Sequence, residues 1–222
     1  MNLLGIDTST PASAACLLRA DGEAFEVVPD VAELTAPPGH ARELMPRIAT
    51  VLDRAGVRAT ELEAIAVGTG PGGFTGLRIG IATARGLASA AGAGLVPVSS
   101  LDALAAGIDA AVRVPLIDAR RGELFGAILS AGESHGEPFV APPETVAERA
   151  AAAGSSGLAA GDGSLRFRGL LEAAGVKVAD EGSSAHVVRA LNVCRLADGA
   201  RPVAPEAVLP NYIRAPDARP HS

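Results

Sequence analysis

Residues 68–80 read GTGPGGFTGLRIG. Gly68, Gly70, Gly72 and Gly73 crowd around Pro71, and a helical pattern begins near Thr75. Glycine-rich turns between a strand and a helix often hold phosphate, because bare backbone and helix N-terminal N–H groups approach an anion closely. The phosphate loop proper reads G-x-x-x-x-G-K-[ST] and needs its lysine. This stretch has none, and the only lysine of the chain is Lys177. Gly68, Gly70 and Gly73 satisfy the spacing of a dinucleotide fingerprint. Pro71 stiffens that loop, however, and no acidic residue stands near positions 90–95 to take a ribose. What remains is a tight strand-to-helix connection with Thr75 near the N-cap.

Beyond the loop, Gly76, Gly80, Ala84 and Ala88 recur every four residues and predict a flat, small-residue stripe along one helix face. Glycine inside a helix costs roughly 0.5–1 kcal/mol relative to alanine. Close approach of a second helix would offset that cost, either the one expected over 41–55 or one from another chain. An exposed face of this kind could also self-pair into a homodimer.

Working outward, residues 2–28 read as strand, polar turn, strand, Asp21-Gly22 hairpin turn and strand. ARELMPRIATVLDRAG carries Leu44, Ile48, Val51 and Leu52 at helical spacing and stops at Gly56, with Pro46 expected in the first turn. ELEAIAVGTG gives a buried strand, the helix after the loop runs over about 75–91, GLVPVSS is a strand and SLDALAAGI a helix. After residue 137 the pattern is weaker: loop then helix in EPFVAPPETVAERAAAAG, a strand in SSGLAAGDG, and helices in SLRFRGLLEAAG and AHVVRALNVCRLADG.

The segment RVPLIDARRGELFGAILSAGES can be laid under the N-terminus without gaps, Asp7 over Asp118 and Leu17-Leu18 over Ile128-Leu129. Both segments are an apolar strand, an aspartate, a turn and an alternating strand. The pattern predicts two lobes that open with the same unit, an α/β plan shared with actin-like ATPases and sugar kinases. The expected division is 1–104 and 105–216, with 217–222 a disordered tail.

Composition narrows the function. The chain of 222 residues carries a net charge of −6 and few aromatics, which argues against unaided nucleic-acid binding. No apolar run reaches the ~18 residues of a membrane span, and MNLLGIDTST is not a signal peptide, so a cytoplasmic protein is expected. Cys16 and Cys194 are two isolated thiols without a metal-ligand pattern.

The stretch GTGPGGFTGLRIGIATARGLA closely resembles the GPGSFTGLRIG…A.GLA motif of the TsaB (YeaZ) family. LLGIDTST, GHARELMP, SSLDALA, IDARRGELF and PNYIR resemble the same family in the same order. The resemblance covers residues 3–214 and is weakest over 135–205. One departure is Gly73, where the family usually has serine. It implies a two-lobed actin-like fold with duplicated lobes. It also implies a non-catalytic relative of TsaD, the enzyme that builds threonylcarbamoyladenosine at tRNA position 37. Such a chain would dock on TsaD through first-lobe helices, keep it active and help form the surface used by the ATPase TsaE. It would meet tRNA only through the complex, with the adenylate donor coming from TsaC. ATP and metal would then belong to partner subunits, and this chain would carry no cofactor. The interface candidates are His40, Leu44, Ile48, Gly76, Leu77, Gly80, Ile81 and Ala84.

The residues agree with lost catalysis. TsaD-like enzymes bind metal through two histidines at i, i+4 on one helix face; here His40 is followed by Leu44, and HExxH is absent. Asp7, Thr8 and Asp118 are candidates for a nucleotide site, since the two aspartates stand where actin-like ATPases keep phosphate or magnesium residues; the turn after Asp7, Thr8-Ser9-Thr10-Pro11, lacks the glycine of such sites, which makes this one vestigial. The alternatives are an independent ATPase or small-molecule kinase on the same fold, and a glycoprotease-like metallopeptidase.

Overall fold

The computed structural model describes residues 1–154 and 157–213. The tail expected at 217–222 lies outside the described residues. The first sheet contains β1 (Leu3–Asp7), β2 (Ala14–Leu18), β3 (Ala24–Val27), β4 (Ala64–Gly68) and β5 (Gly94–Val98), in the order β3-β2-β1-β4-β5. β1 runs antiparallel to β2 and parallel to β4. It is buried along its whole length, which explains why LLGID is apolar until its last residue.

The second sheet contains β6 (Val112–Arg120), β7 (Glu123–Gly126), β8 (Phe139–Ala141), β9 (Gly157–Ala160) and β10 (Lys177–Val178), in the order β10-β9-β6-β7-β8. Counted within its own half, each sheet therefore runs third, second, first, fourth, fifth. Two lobes with this shared order and helices on both faces form the two-lobed actin-like ATPase fold.

The gapless superposition of the halves is one residue out. Leu3 pairs with Leu18, and it is Arg113 rather than Val114 that bridges Leu129. The irregularity between Asp118 and Arg120 in β6 absorbs the difference, since a one-residue slip would otherwise turn every side chain to the wrong face.

On the outer face of the first sheet lie α1 (His40–Ala55) and α2 (Phe74–Ala91). Leu44, Ile48 and Val51 of α1 and Ile81, Ala84 and Ala88 of α2 pack with Leu4, Ile6, Ile65 and Val67 of the sheet. Pro46 is not in the first turn as expected, because α1 begins at His40; it sits inside the helix, on its exposed side. Helices α4 (Pro143–Ala152), α5 (Asp162–Arg166) and α6 (Arg168–Ala173) belong to the second sheet. The single helix expected over SLRFRGLLEAAG is broken at Phe167, whose φ of −111° and ψ of 22° are not helical. Strand β8 falls in a stretch read as loop; with three residues it is too short to show alternation.

Helices α3 (Ser100–Ala105) and α7 (Ala190–Ala197) lie between the sheets and are exchanged. α3, which ends the first half, packs on β6, while α7, which ends the second half, packs on β1 and β2. Glu26 of β3 anchors α7: it accepts Leu191 N at 3.0 Å and Arg189 Nε at 3.1 Å. Asn192 Nδ2 ties α7 to Ala103 O at 3.0 Å. A boundary at 104 thus separates the two sheets but not the packing, because residues 187–213 return to the first lobe. Val188 and Cys194 join its inner core, Val203 bridges Leu95, and Val208 joins the cluster under α1 and α2.

Candidate functional site

Open α/β sheets bind ligands in the crevice beyond the carboxyl ends of their strands. Residues beyond β1 and β9 and at the end of β6 meet in one cleft between the lobes: Ser9 and Thr10 after β1, Asp118 and Arg120 in β6, and Asp162 after β9.

In the first half the strand end is closed. Asp7 is 2% exposed. Its Oδ1 accepts Ser9 N at 2.8 Å and Ser9 Oγ at 2.6 Å, and its Oδ2 accepts Ser100 Oγ at 2.6 Å. Burial pushes its pKa above the usual carboxylate value, against the pull of these hydrogen bonds. Thr8 Oγ1 donates to Gly76 O at 2.8 Å. Neither Asp7 nor Thr8 lines the cleft, so of the three expected nucleotide-site residues only Asp118 reaches it.

The glycine-rich loop explains the closure. Gly73 N donates to Ser9 O at 2.7 Å, and a Cβ on Gly72 would stand 2.4 Å from the same oxygen. Thr69 N bonds Val98 O, and Ser100 N bonds Gly70 O. The loop clasps the chain's own first turn: Gly72 is required where backbone meets backbone at Ser9, and Gly68 where a Cβ would enter the Asp7 carboxylate.

The stripe beyond it has the same purpose. A Cβ on Gly76 would lie 2.1 Å from Thr8 O, and one on Gly80 would lie 2.2 Å from Thr8 Oγ1. Ala84 and Ala88 continue into the core under the first sheet. The stripe was expected to meet a helix; it meets the end of β1. This corrects the interface candidates as a group: His40, Leu44, Ile48, Gly76, Leu77, Gly80, Ile81 and Ala84 are all buried within the chain. The exposed faces of the same helices carry Ala41, Met45 and Ala49 on α1 and Phe74, Arg78 and Ala82 on α2. Arg78 lies 3.7 Å over the Phe74 ring, Tyr212 stacks on that ring at 5.5 Å, and Arg78 Nε reaches Tyr212 Oη at 3.1 Å.

His40 opens α1, and Leu44 one turn later is packed in the core. His40 Nδ1 is 2.8 Å from Ser13 Oγ. Burial pulls its pKa down, Glu43 opposes that and Arg47 assists it, so the ring is neutral at pH 7. Among the described residues no group of three or more His, Cys, Asp and Glu is placed to hold a metal ion.

In the second half the strand ends are open. Asp118 Oδ2 contacts Arg166 Nη1 at 2.6 Å and Arg120 Nη1 at 3.1 Å, and its Oδ1 accepts Arg120 N at 2.8 Å. Asp162 Oδ1 accepts Asp118 N at 3.2 Å and Gly163 N at 3.0 Å. Burial foremost, with the Asp118 charge beside it, pushes the Asp162 carboxyl up to about 7. Asp118, Arg120 and Asp162 form one wall of a cavity of about 520 Å³, whose other walls are the starts of α1 and α2. A smaller cavity of about 260 Å³ continues past them to Arg166. The sequence reading missed Asp162, Arg120, Arg166 and Ser100. Asp162 had a signal, an aspartate just beyond a strand end, as at Asp7 and Asp118. Ser100 had none, because it meets Asp7 from 93 residues away.

The family model for tRNA N6-adenosine threonylcarbamoyltransferase (TsaD) matches residues 27–159. The tRNA threonylcarbamoyladenosine biosynthesis protein TsaB of Escherichia coli is 38% identical over 161 residues, covering 67% of this chain and 66% of that protein. The TsaB protein of Haemophilus influenzae is 36% identical over 129 residues, 56% and 52% of the two chains. The aligned segment therefore spans between half and two thirds of these curated relatives. The solved structure titled YeaZ from Pseudomonas aeruginosa matches with a TM-score of 0.75 and 31% identity, over 95% of this chain and 100% of that one. These matches place the chain in the TsaB (YeaZ) family.

Proposed function

We propose that this chain serves tRNA threonylcarbamoyladenosine biosynthesis as a non-catalytic subunit that docks on TsaD and keeps it active. The observation that carries the reading is the plugged first strand end. Asp7 and Thr8, which would have to face a nucleotide, are bonded to Ser9, Ser100 and Gly76 of the same chain. Leu44, in the core, stands where a second metal ligand would be needed. ATP and metal then belong to the partners, and this chain takes no cofactor for the transfer itself.

The docking face is the outer side of α1 and α2, opposite the stripe. Met45 on α1 is 49% and Phe74 on α2 45% exposed, large apolar side chains that suit a helical partner. TsaE reads the assembled surface, and tRNA meets the complex, in keeping with the net charge of −6. Without TsaD the same face pairs two copies of this chain.

The test is reconstitution with TsaD, TsaE, tRNA and the threonylcarbamoyl-adenylate donor, followed by nucleoside analysis. Product should require both TsaD and this chain. Met45→Asp should weaken binding to TsaD by roughly tenfold or more, ~1.4 kcal/mol, with melting unchanged. Modified tRNA formed without TsaD would defeat the proposal.

The open second half favours one other reading, an independent ATPase acting through Asp118 and Asp162. Turnover of ATP above ~1 s⁻¹, an ordinary enzyme rate, that disappears in Asp118→Ala would establish it.

A further inference from the structure

After α7 the chain returns to the first lobe as a strap along one flank of α2. Val203 and Leu95 exchange backbone hydrogen bonds of 2.7 and 2.9 Å. Arg85 of α2 donates through Nη2 to Val208 O at 2.5 Å and to Glu206 O at 3.3 Å. Asn211 N donates to Thr69 O at 2.8 Å, where the glycine-rich loop begins. The strap is thus held at three points through its backbone, and within residues 203–212 only the Val208 side chain is buried. Val208 enters the core under α1 and α2. Its neighbour Leu209 points the other way and, at 68%, is the most exposed large apolar side chain among the described residues. Tyr212 then stacks on Phe74 and meets Arg78 Nε, so the end of the strap and the first turns of α2 form one cluster.

The chemistry of this flank selects what covers it. α2 carries Arg78 and Arg85 and no Asp or Glu, in a chain whose net charge is −6. Arg78 is exposed and meets two aromatic side chains but no carboxylate among the described residues. Glu206, the one acid of the strap, lies toward the other end, where its carbonyl meets Arg85. An apolar and basic surface of this kind fits a protein face that is apolar and carries carboxylates, since complementary charge fixes register and partner. Tyr and Arg are also among the side chains that dominate binding energy at interfaces. The Tyr212 stack holds the Phe74 ring in place before any partner arrives, which lowers the entropy lost on docking.

We infer that the C-terminal strap, residues 203–212, is the third element of the TsaD-docking face. Leu209 packs on apolar surface of TsaD, Arg78 pairs with a TsaD carboxylate, and Tyr212 is the positioning residue that presents Phe74 and Arg78. The inference rests on the TsaD reading above and gives the docking face an element that neither α1 nor α2 supplies.

The probe is purified TsaD, titrated calorimetrically into the full chain at low and at high salt. Leu209→Asp should raise the Kd by roughly tenfold or more with the melting temperature unchanged, because this side chain stands in solvent. Arg78→Glu should raise the Kd as well and flatten or reverse its salt dependence. Tyr212→Ala should weaken binding, and Tyr212→Phe, which keeps the ring stack, should restore most of the loss. An unchanged Kd in Leu209→Asp, with Met45→Asp still weakening binding, overturns the inference and leaves the TsaD reading in place. So does an effect of Leu209→Asp confined to self-association of the pure chain, which would give the strap to a second copy. No binding of TsaD by the unaltered chain removes both.

Discussion

Asp7 ends β1 and Asp118 lies near the end of β6, the same place in the strand order of each half. Asp7 is followed by a six-residue turn that folds back into the body of the lobe, and every contact it makes is inside the chain. Asp118 is followed by a two-residue turn, Arg121-Gly122, with φ of 54° and 79°. That turn projects outward and leaves the carboxylate to arginines at the cleft. One sequence unit thus gives a sealed strand end and an open one. The difference lies in what reaches the aspartate from elsewhere: the glycine-rich loop and Ser100 in one half, Arg166 and Asp162 in the other.

The sharpest way to break the sealed end is Gly80→Leu. A side chain there enters Thr8, whose Oγ1 would be 2.2 Å from the first added carbon. Overpacking of this kind costs about 3 kcal/mol, and a chain of this size should melt roughly 6–12 °C lower. Gly86, on the open side of the same helix with nothing near it, is the control. Gly86→Ala should raise stability by up to about 1 kcal/mol. Equal melting of the two variants would mean that the stripe is not packed on β1.

The open end should show itself through pH. Burial pushes the folded Asp162 carboxyl up to about 7, from an ordinary value of 3.8. The folded state therefore holds a proton that the unfolded chain has released, and this contribution to stability is complete below about pH 4 and lost as pH rises to about 7. The full shift would be worth at most about 4 kcal/mol, and we expect about 2 kcal/mol because the cleft admits water. Chemical denaturation from pH 4 to 8 should show the decline in the unaltered chain and a flatter curve in Asp162→Asn. Parallel curves would remove Asp162 as the cause.

A direct comparison of the halves comes from the two aspartates. Asp7→Ala strands the N–H and hydroxyl of Ser9 and the Ser100 hydroxyl, and should cost about 2 kcal/mol. Asp118→Ala gives up ion pairs to half-exposed arginines and one bond from Arg120 N, and should cost about 1 kcal/mol, less than Asp7→Ala. Urea midpoints measure both, and a reversed order would contradict the sealed and open assignment.

Much of this architecture was legible in sequence. The 3.6-residue spacing of Leu44, Ile48 and Val51 and the four-residue spacing of Gly76, Gly80, Ala84 and Ala88 gave α1 and α2 to within a residue. The repeated strand, aspartate and turn gave the duplicated lobes. The site was read less fully. The small-residue stripe reports that something approaches closely but not what, and Thr8 of the same chain proved to be the answer. Asp7 and Asp118 look alike along the chain because their surroundings are assembled from residues 93 and 48 positions away, Ser100 and Arg166.

The sequence by itself determined the periodic elements, the twofold plan and the family motif, because those depend on neighbours one strand or one helical turn apart. Only the tertiary structure decided which helix faces are buried and which aspartate is sealed. It also decided that α3 and α7 are exchanged between the lobes and that the first turn of α2 opens into a cleft. Those outcomes rest on contacts between residues distant in sequence, and burial and hydrogen-bond partnership exist only once the two lobes have closed on each other.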